Sequence, residues 1–100
     1  MDRGPDKRFP YLAEIVIESA SGRREARIGD ISHGGCYVDS IVEIHPGEEV
    51  SFHFKDLDKP LTFHGVVVYT LQGVGFGVKF TDLDEAAREH LESILKGFES

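Results

Sequence analysis

In Gly73-Val74-Gly75-Phe76-Gly77-Val78-Lys79-Phe80-Thr81-Asp82-Leu83 the hydrophobic period changes from that of a strand to that of a helix. Val74, Phe76, Val78 and Phe80 fall on every second position, the spacing of a strand with one buried face. Its glycines invite a nucleotide-loop reading, but the spacing is not G-x-G-x-x-G and the run does not sit between a strand and a helix. On a strand, Gly75 and Gly77 instead clear the opposite face for another backbone or a helix. Past Asp82 the period changes. Leu83, Ala87, Leu91, Ile94, Leu95 and Phe98 recur at helical spacing, with Glu85, Arg88, Glu89, Glu92 and Lys96 between them. This predicts a helix over 83–97, with Asp82 or Asp84 as its N-cap.

Working back from Gly73, the period of two persists. Leu61, Phe63, Gly65, Val67 and Tyr69 alternate, as do Val50, Phe52 and Phe54 before them; His45-Pro46-Gly47 and Asp56 to Pro60 read as turn and loop. Tyr69 continues the apolar face inward by this pattern; its other reading is a ring at a strand end, placed to stack on a base. Upstream, a short strand spans Cys36 to Asp39 and a longer one Arg23 to Ile31. Ser19-Ala20-Ser21-Gly22 links the latter to a strand whose Tyr11, Ala13, Ile15 and Ile17 share a face opposite Glu14 and Glu18. Residues 1–10, with two prolines, a glycine and alternating charge, read as a flexible basic N-terminal arm. The expectation is a mainly β domain over 11–100: about six antiparallel strands in a closed or nearly closed barrel, which removes exposed edges, and one C-terminal helix.

Composition narrows the function. One hundred residues suit a single domain. No apolar run reaches the roughly 18 to 20 residues of a membrane span, and the N-terminus lacks the apolar segment of a signal peptide. The lone Cys36 has no intramolecular partner, which suits a cytoplasmic setting. With 18 acidic residues against 11 Lys and Arg, the net charge of −7 argues against a nucleic-acid polymer. The cations are nonetheless unevenly spread: Arg3, Lys7, Arg8, Arg23, Arg24 and Arg27 all precede position 28. A local cluster of this kind suits a compact anion. The five histidines include no close metal-ligand pair; His53 and His64 are expected as exposed polar-face histidines, the alternative being a pair that faces across adjacent strands. Asp30, Ser32 and His33 are too close on one strand to form a hydrolytic triad, and no nucleophile elbow is present, so no enzyme is expected.

Gly29-Asp30-Ile31-Ser32-His33-Gly34-Gly35 carries the recognition chemistry. Alternation puts Asp30 and Ser32 on one face with Ile31 turned to the core. A carboxylate accepts bidentately from the ring N–H and amino group of a guanine, and a serine hydroxyl both donates and accepts. The successive glycines allow a sharp turn and close approach of a ligand. The commoner role of such a sequence is an Asx or Ser turn that closes the strand end.

Asp30, Ser32 and Gly35 match the D/N-x-S-x-x-G signature of the PilZ domain family, and Gly77-Val78-Lys79-Phe80-Thr81-Asp82-Leu83 resembles that family's lead into its C-terminal helix. The resemblance spans nearly the whole chain. It implies a six-stranded split-barrel fold with a helix packed on it, a non-catalytic receptor role, and cyclic di-GMP as ligand with no other cofactor. The family's arm motif, R-x-x-x-R, departs here: Arg3 and Lys7 have the spacing but end in Lys, and Arg3 and Arg8 lie one residue too far apart. The resemblance implies that Arg3, Lys7 and Arg8 hold phosphates and stack on bases, that Asp30 and Ser32 read guanine, that His33 touches the ligand, and that Gly35 shapes the turn. Ordering of the arm would then signal to a protein partner. The imperfect arm keeps open a second reading, a protein-interaction module that does not bind the nucleotide.

Overall fold

The computed structural model describes residues 7–59 and 61–99. Six strands form a closed barrel: β1 (Phe9–Ser19), β2 (Gly22–Ile31), β3 (Gly35–Asp39), β4 (Glu49–Phe54), β5 (Phe63–Leu71) and β6 (Gly75–Phe80). Their order around the barrel is β1-β2-β3-β6-β5-β4, with β4 returning to β1 and every neighbouring pair antiparallel. Closure satisfies the backbone donors and acceptors that an open sheet leaves at its edges. One helix, α1 (Glu85–Glu99), follows.

The alternating positions converge inside. Ile15 and Ile17, Ile28 and Ile31, Cys36 and Val38, Val50 and Phe52, Phe63 and Val67, and Phe76 and Val78 are all buried, one pair from each strand. Phe52 and Phe63 stack at 5.2 Å between ring centroids, and Phe54 meets Phe63 edge-on at 5.4 Å. Rings packed this way contribute beyond their buried area.

The helix lies across one barrel end. Ala87, Leu91 and Leu95 are its buried face. His90 packs on Phe54 and Phe63, where burial, with Lys59 nearby, lowers its pKa. At the other end of the helix, Phe98 stacks on Phe9 at 5.0 Å and meets Tyr11 edge-on. Asp84 is the N-cap: its Oδ1 accepts from the Ala87 amide at 2.8 Å. The helix therefore starts at Glu85, two residues after the expected Leu83. Phe9 and Pro10, expected in the arm, pair with Ile31 and Asp30 as the first residues of β1.

Register decides two further readings. Ser51 lies opposite His64, and His53 lies opposite Val16, so the two histidines do not face each other. The β5–β6 ladder shifts between Val67 and Tyr69. An extra residue there reverses the inside–outside parity, so Val67 is buried while Val68 and Tyr69 are both exposed. Tyr69 does not continue the core.

Candidate functional site

The helix-covered barrel end is built from the start of β1, the end of β2 and the start of β3, and this brings the arm junction beside the Asp30–Gly35 segment. Because Phe9 pairs with Ile31 and Pro10 with Asp30, Arg8 enters next to Asp30. Arg8 Nε lies 3.1 Å from Asp30 Oδ1, both side chains partly exposed. Oδ1 is itself shielded from solvent, and no donor among the described residues reaches it with hydrogen-bond geometry. The pair is thus an ion contact that leaves acceptor capacity on the carboxylate unused.

Ile31 is fully buried, as alternation required, but Ser32 is buried too. Its hydroxyl closes the turn. Oγ accepts from the amides of Gly34 (3.3 Å) and Gly35 (3.2 Å) and is 3.3 Å from the Gly35 carbonyl, to which it can donate. The Ser32 amide also donates to that carbonyl at 2.8 Å. This is the Ser turn that such a sequence commonly makes. Gly35 pairs with Lys79 of β6. A Cβ on Gly35 would collide with the Val78 carbonyl oxygen, so the missing side chain lets two backbones approach. No left-handed backbone is involved, since among the described residues the glycines with positive φ are Gly22, Gly47 and Gly73.

His33 turns towards the helix. Its Nε2 lies 3.3 Å from Glu99 Oε2 and its Nδ1 3.7 Å from Glu92 Oε2. Lys7 Nζ sits 5.6 Å above the Phe9 ring. Arg3 lies outside the described residues. The structure therefore brings Arg8 and Asp30 together, closes the turn with Ser32 and Gly35, sets Lys7 over Phe9 and turns His33 to the helix.

Next to Asp30 the outer barrel wall is aromatic. Asp30 pairs with Tyr37, Tyr37 with Gly77, and Gly77 with Tyr69, in one row across β2, β3, β6 and β5. The rings of Tyr37 and Tyr69 are 6.5 Å apart between centroids, with planes 22° from parallel. They cover the glycines: a Cβ at Gly75 would run into Tyr37 Oη and the Val38 carbonyl oxygen, and one at Gly77 into the Tyr69 ring. The face that the glycines clear is occupied by a strand backbone and two tyrosines. Desolvation, then Asp39, Tyr69 and Asp30, raise the Tyr37 phenol above its ordinary pKa. Sequence reading missed Tyr37. Its signal was the pair Gly75 and Gly77, whose bare surface needed a cover.

Cys36, on the inner side of the same segment, is fully buried; burial and the Asp30 charge push its thiol up to about 12, against a lowering by Arg8. No cluster of metal-ligating side chains occurs among the described residues, and no helix there is long and apolar enough to cross a membrane.

Comparison with known proteins places this geometry. The crystal structure of the PilZ domain of CeSA from a cellulose-synthesizing bacterium superposes with a TM-score of 0.69 at 16% identity, over 94% of this chain and 99% of that one. The Bacillus subtilis inhibitor of motility, MotI/DgrA, superposes with a TM-score of 0.77 at 12% identity; 96% of this chain matches, covering 51% of that longer one. At these identities the superpositions establish the shared fold. Comparison with curated proteins finds no significant match. The family profile described as PilZ domain matches residues 2–97. With the closed barrel, the helix across its end and the Asp30–Gly35 turn in place, the chain belongs to the PilZ domain family, bacterial signalling modules that are receptors and not enzymes and that are associated with cyclic di-GMP.

Proposed function

We propose that this chain is a receptor domain for cyclic di-GMP in which Asp30 reads a guanine edge now mimicked by Arg8. The observation that carries this reading is the Arg8–Asp30 contact at 3.1 Å. The edge of guanine that bears its ring N–H and amino group is chemically a guanidine fragment. It presents a fork of N–H donors like that of an arginine side chain. A carboxylate that holds Arg8, with acceptor capacity unspent on a shielded oxygen, is matched to that edge. Guanine entering there displaces Arg8, and the freed guanidinium is then available to a phosphate, where its planar fork pairs bidentately. Lys7 and Arg3 add charge from the same arm. Ser32 and Gly35 support the site by fixing the turn below Asp30.

Exchange of Arg8 from Asp30 to the ligand moves the arm, which is tied to the helix through Phe9 and Phe98. A protein partner that reads the arm and helix end would sense the ligand by this route. The reading places the domain in the cytoplasm, with no nucleic-acid polymer as partner. One observation favours a second reading, a protein-interaction module without the nucleotide: the arm lacks R-x-x-x-R.

Calorimetric titration with cyclic di-GMP separates the two. The receptor reading expects saturable binding by the wild type and at least ~100-fold weaker binding by Asp30→Ala, since a charge-assisted bidentate pair is worth roughly 3 kcal/mol. Equal affinity in Asp30→Ala removes Asp30 from the site. No binding by the wild type replaces the receptor reading with the second one.

A further inference from the structure

We infer that the barrel end opposite the helix is a docking surface for a partner-protein segment that carries Lys or Arg beside apolar side chains. This surface is independent of the nucleotide, and it lies apart from the arm and the helix.

Two connections meet there. β3 ends at Asp39, β5 ends at Leu71 and β6 begins at Gly75. The Ser40 amide donates to the Val74 carbonyl at 3.1 Å, which ties the β3–β4 connection to the β5–β6 turn. Between them lies an open groove of about 450 Å³, with Ile41, Glu43, His45, Thr70, Leu71 and Gln72 in its walls. Ile41 is 87% exposed, Val74 55% and Leu71 50%. Single exposed apolar residues are ordinary, but three on adjoining turns make a patch, and such patches mark contact sites.

The patch is preformed. Residues 40–48 form neither strand nor helix, yet they are pinned along their length. Ser40 Oγ accepts from the Val42 amide at 3.1 Å, Glu48 Oε2 from the His45 amide at 3.1 Å, and the Val67 carbonyl from the Gly47 amide at 2.7 Å. Ile44 turns inward and is buried. A fixed backbone therefore holds Ile41 outward, and a partner can meet it without first ordering the connection.

Charge names the partner. No Lys or Arg occurs between Ile28 and Phe54 or between Thr70 and Val78, whereas Asp39, Glu43, Glu48 and Glu49 all fall in the first stretch. Asp39 lies opposite Arg27 of β2. Among the described residues no ion pair engages Glu43, Glu48 or Glu49. Arg23 and Arg24 belong to the β1–β2 hairpin, on the β2 side of β3. An apolar patch rimmed by unpaired carboxylates attracts cations and repels phosphates. Anionic lipid and nucleic acid are thereby disfavoured. So is a second copy of this chain, because a two-fold contact here would set Glu43 against like charge. The complement is a segment with apolar side chains to fill the groove and Lys or Arg to meet its rim.

The test is an NMR titration of the full chain, without nucleotide, using as probe a synthetic helical peptide with Leu on one face and Lys on the other. A peptide of the same pattern with Glu in place of Lys is the control. The Leu–Lys peptide should bind saturably and shift most the amide resonances of Ile41, Glu43, Leu71 and Val74; the Leu–Glu peptide should not saturate. Ile41→Ser should melt with the wild type, because the side chain is almost wholly exposed, yet bind the Leu–Lys peptide about tenfold more weakly. Glu43→Lys should bind about fivefold more weakly. Glu89→Lys, the same change of charge on the exposed face of α1, should bind within about twofold of wild type. If Ile41→Ser does not fold, the comparison of Glu43→Lys with Glu89→Lys decides. Absence of saturable binding, shifts centred elsewhere, or wild-type affinity in Glu43→Lys overturns the proposal. Equal weakening by Glu89→Lys also overturns it, because net charge alone then accounts for the attraction. A dimer in sedimentation that Ile41→Ser dissolves overturns it too, because a second copy is then the occupant.

Discussion

Gly35→Ala tests whether the last residue of the D-x-S-x-x-G signature serves the ligand or the barrel. The substitution adds one methyl group, which would collide with the Val78 carbonyl oxygen and would also stand 3.2 Å from Lys79 Cα. Both neighbours are backbone, so no side chain can rotate away. Relief requires β3 and β6 to separate at the Gly35–Lys79 and Cys36–Val78 pairs and strains the Phe80 amide bond to the Gly34 carbonyl, 2.8 Å long. Overpacking of this kind costs roughly 1–3 kcal/mol, and a weakened backbone hydrogen bond adds about 1 kcal/mol. The sum, about 2–4 kcal/mol, is a large share of the roughly 5–15 kcal/mol that holds a domain together. In a 100-residue domain each kcal/mol lowers Tm by about 4–8 °C, so Gly35→Ala should melt roughly 8–32 °C below wild type without any ligand present. Thermal and urea unfolding followed by circular dichroism measure it. A variant that melts with the wild type and only loses cyclic di-GMP binding would refute the argument and make Gly35 a point of ligand approach.

Three other predictions follow from the same segment. Ser32→Ala should lower stability by about 1–3 kcal/mol, because the part-buried amide of Gly34 and the buried amide of Gly35 lose their Oγ acceptor; urea midpoints equal to wild type would show that the backbone closes the turn unaided. Arg8→Ala should cost at most about 1 kcal/mol in stability, as befits a half-exposed pair, yet weaken cyclic di-GMP binding more than Arg3→Ala, since Arg8 is anchored by β1. The larger calorimetric loss in Arg3→Ala would favour the Arg3–Lys7 register instead. The Cys36 thiol, pushed up to about 12 in the folded protein, stays neutral there while the unfolded chain releases its proton near pH 9. Its contribution is therefore whole below pH 9 and fades as pH rises towards 12, at about 1.4 kcal/mol per pH unit. Stability of wild type should fall more steeply across that window than that of Cys36→Ala, and parallel slopes would contradict it.

The strands, the helix and the barrel class were legible in the linear chain. A strand with one buried face must place apolar side chains at every second position, and a helix on a core must place them at every third or fourth. Both periods are local and survive in the linear text, as in Ile15 and Ile17 or Leu91 and Leu95. The same holds for the neighbourhood of the site, since Asp30 to Gly35 and the basic arm are contiguous runs. What each of these residues does was decided by partners far along the chain. Arg8 meets Asp30 because of the β1–β2 register. Gly35 is required by the carbonyl of Val78 on β6, and the two basic-arm residues that are described part company, Arg8 to Asp30 and Lys7 to Phe9. Tyr69 is the sharpest case. Alternation names the face of a residue only while the ladder is unbroken, and one extra residue at Val68 reverses it. Bulges answer to the curvature a closed barrel demands and not to local spacing, so the aromatic strip beside Asp30 exists only once six strands have closed.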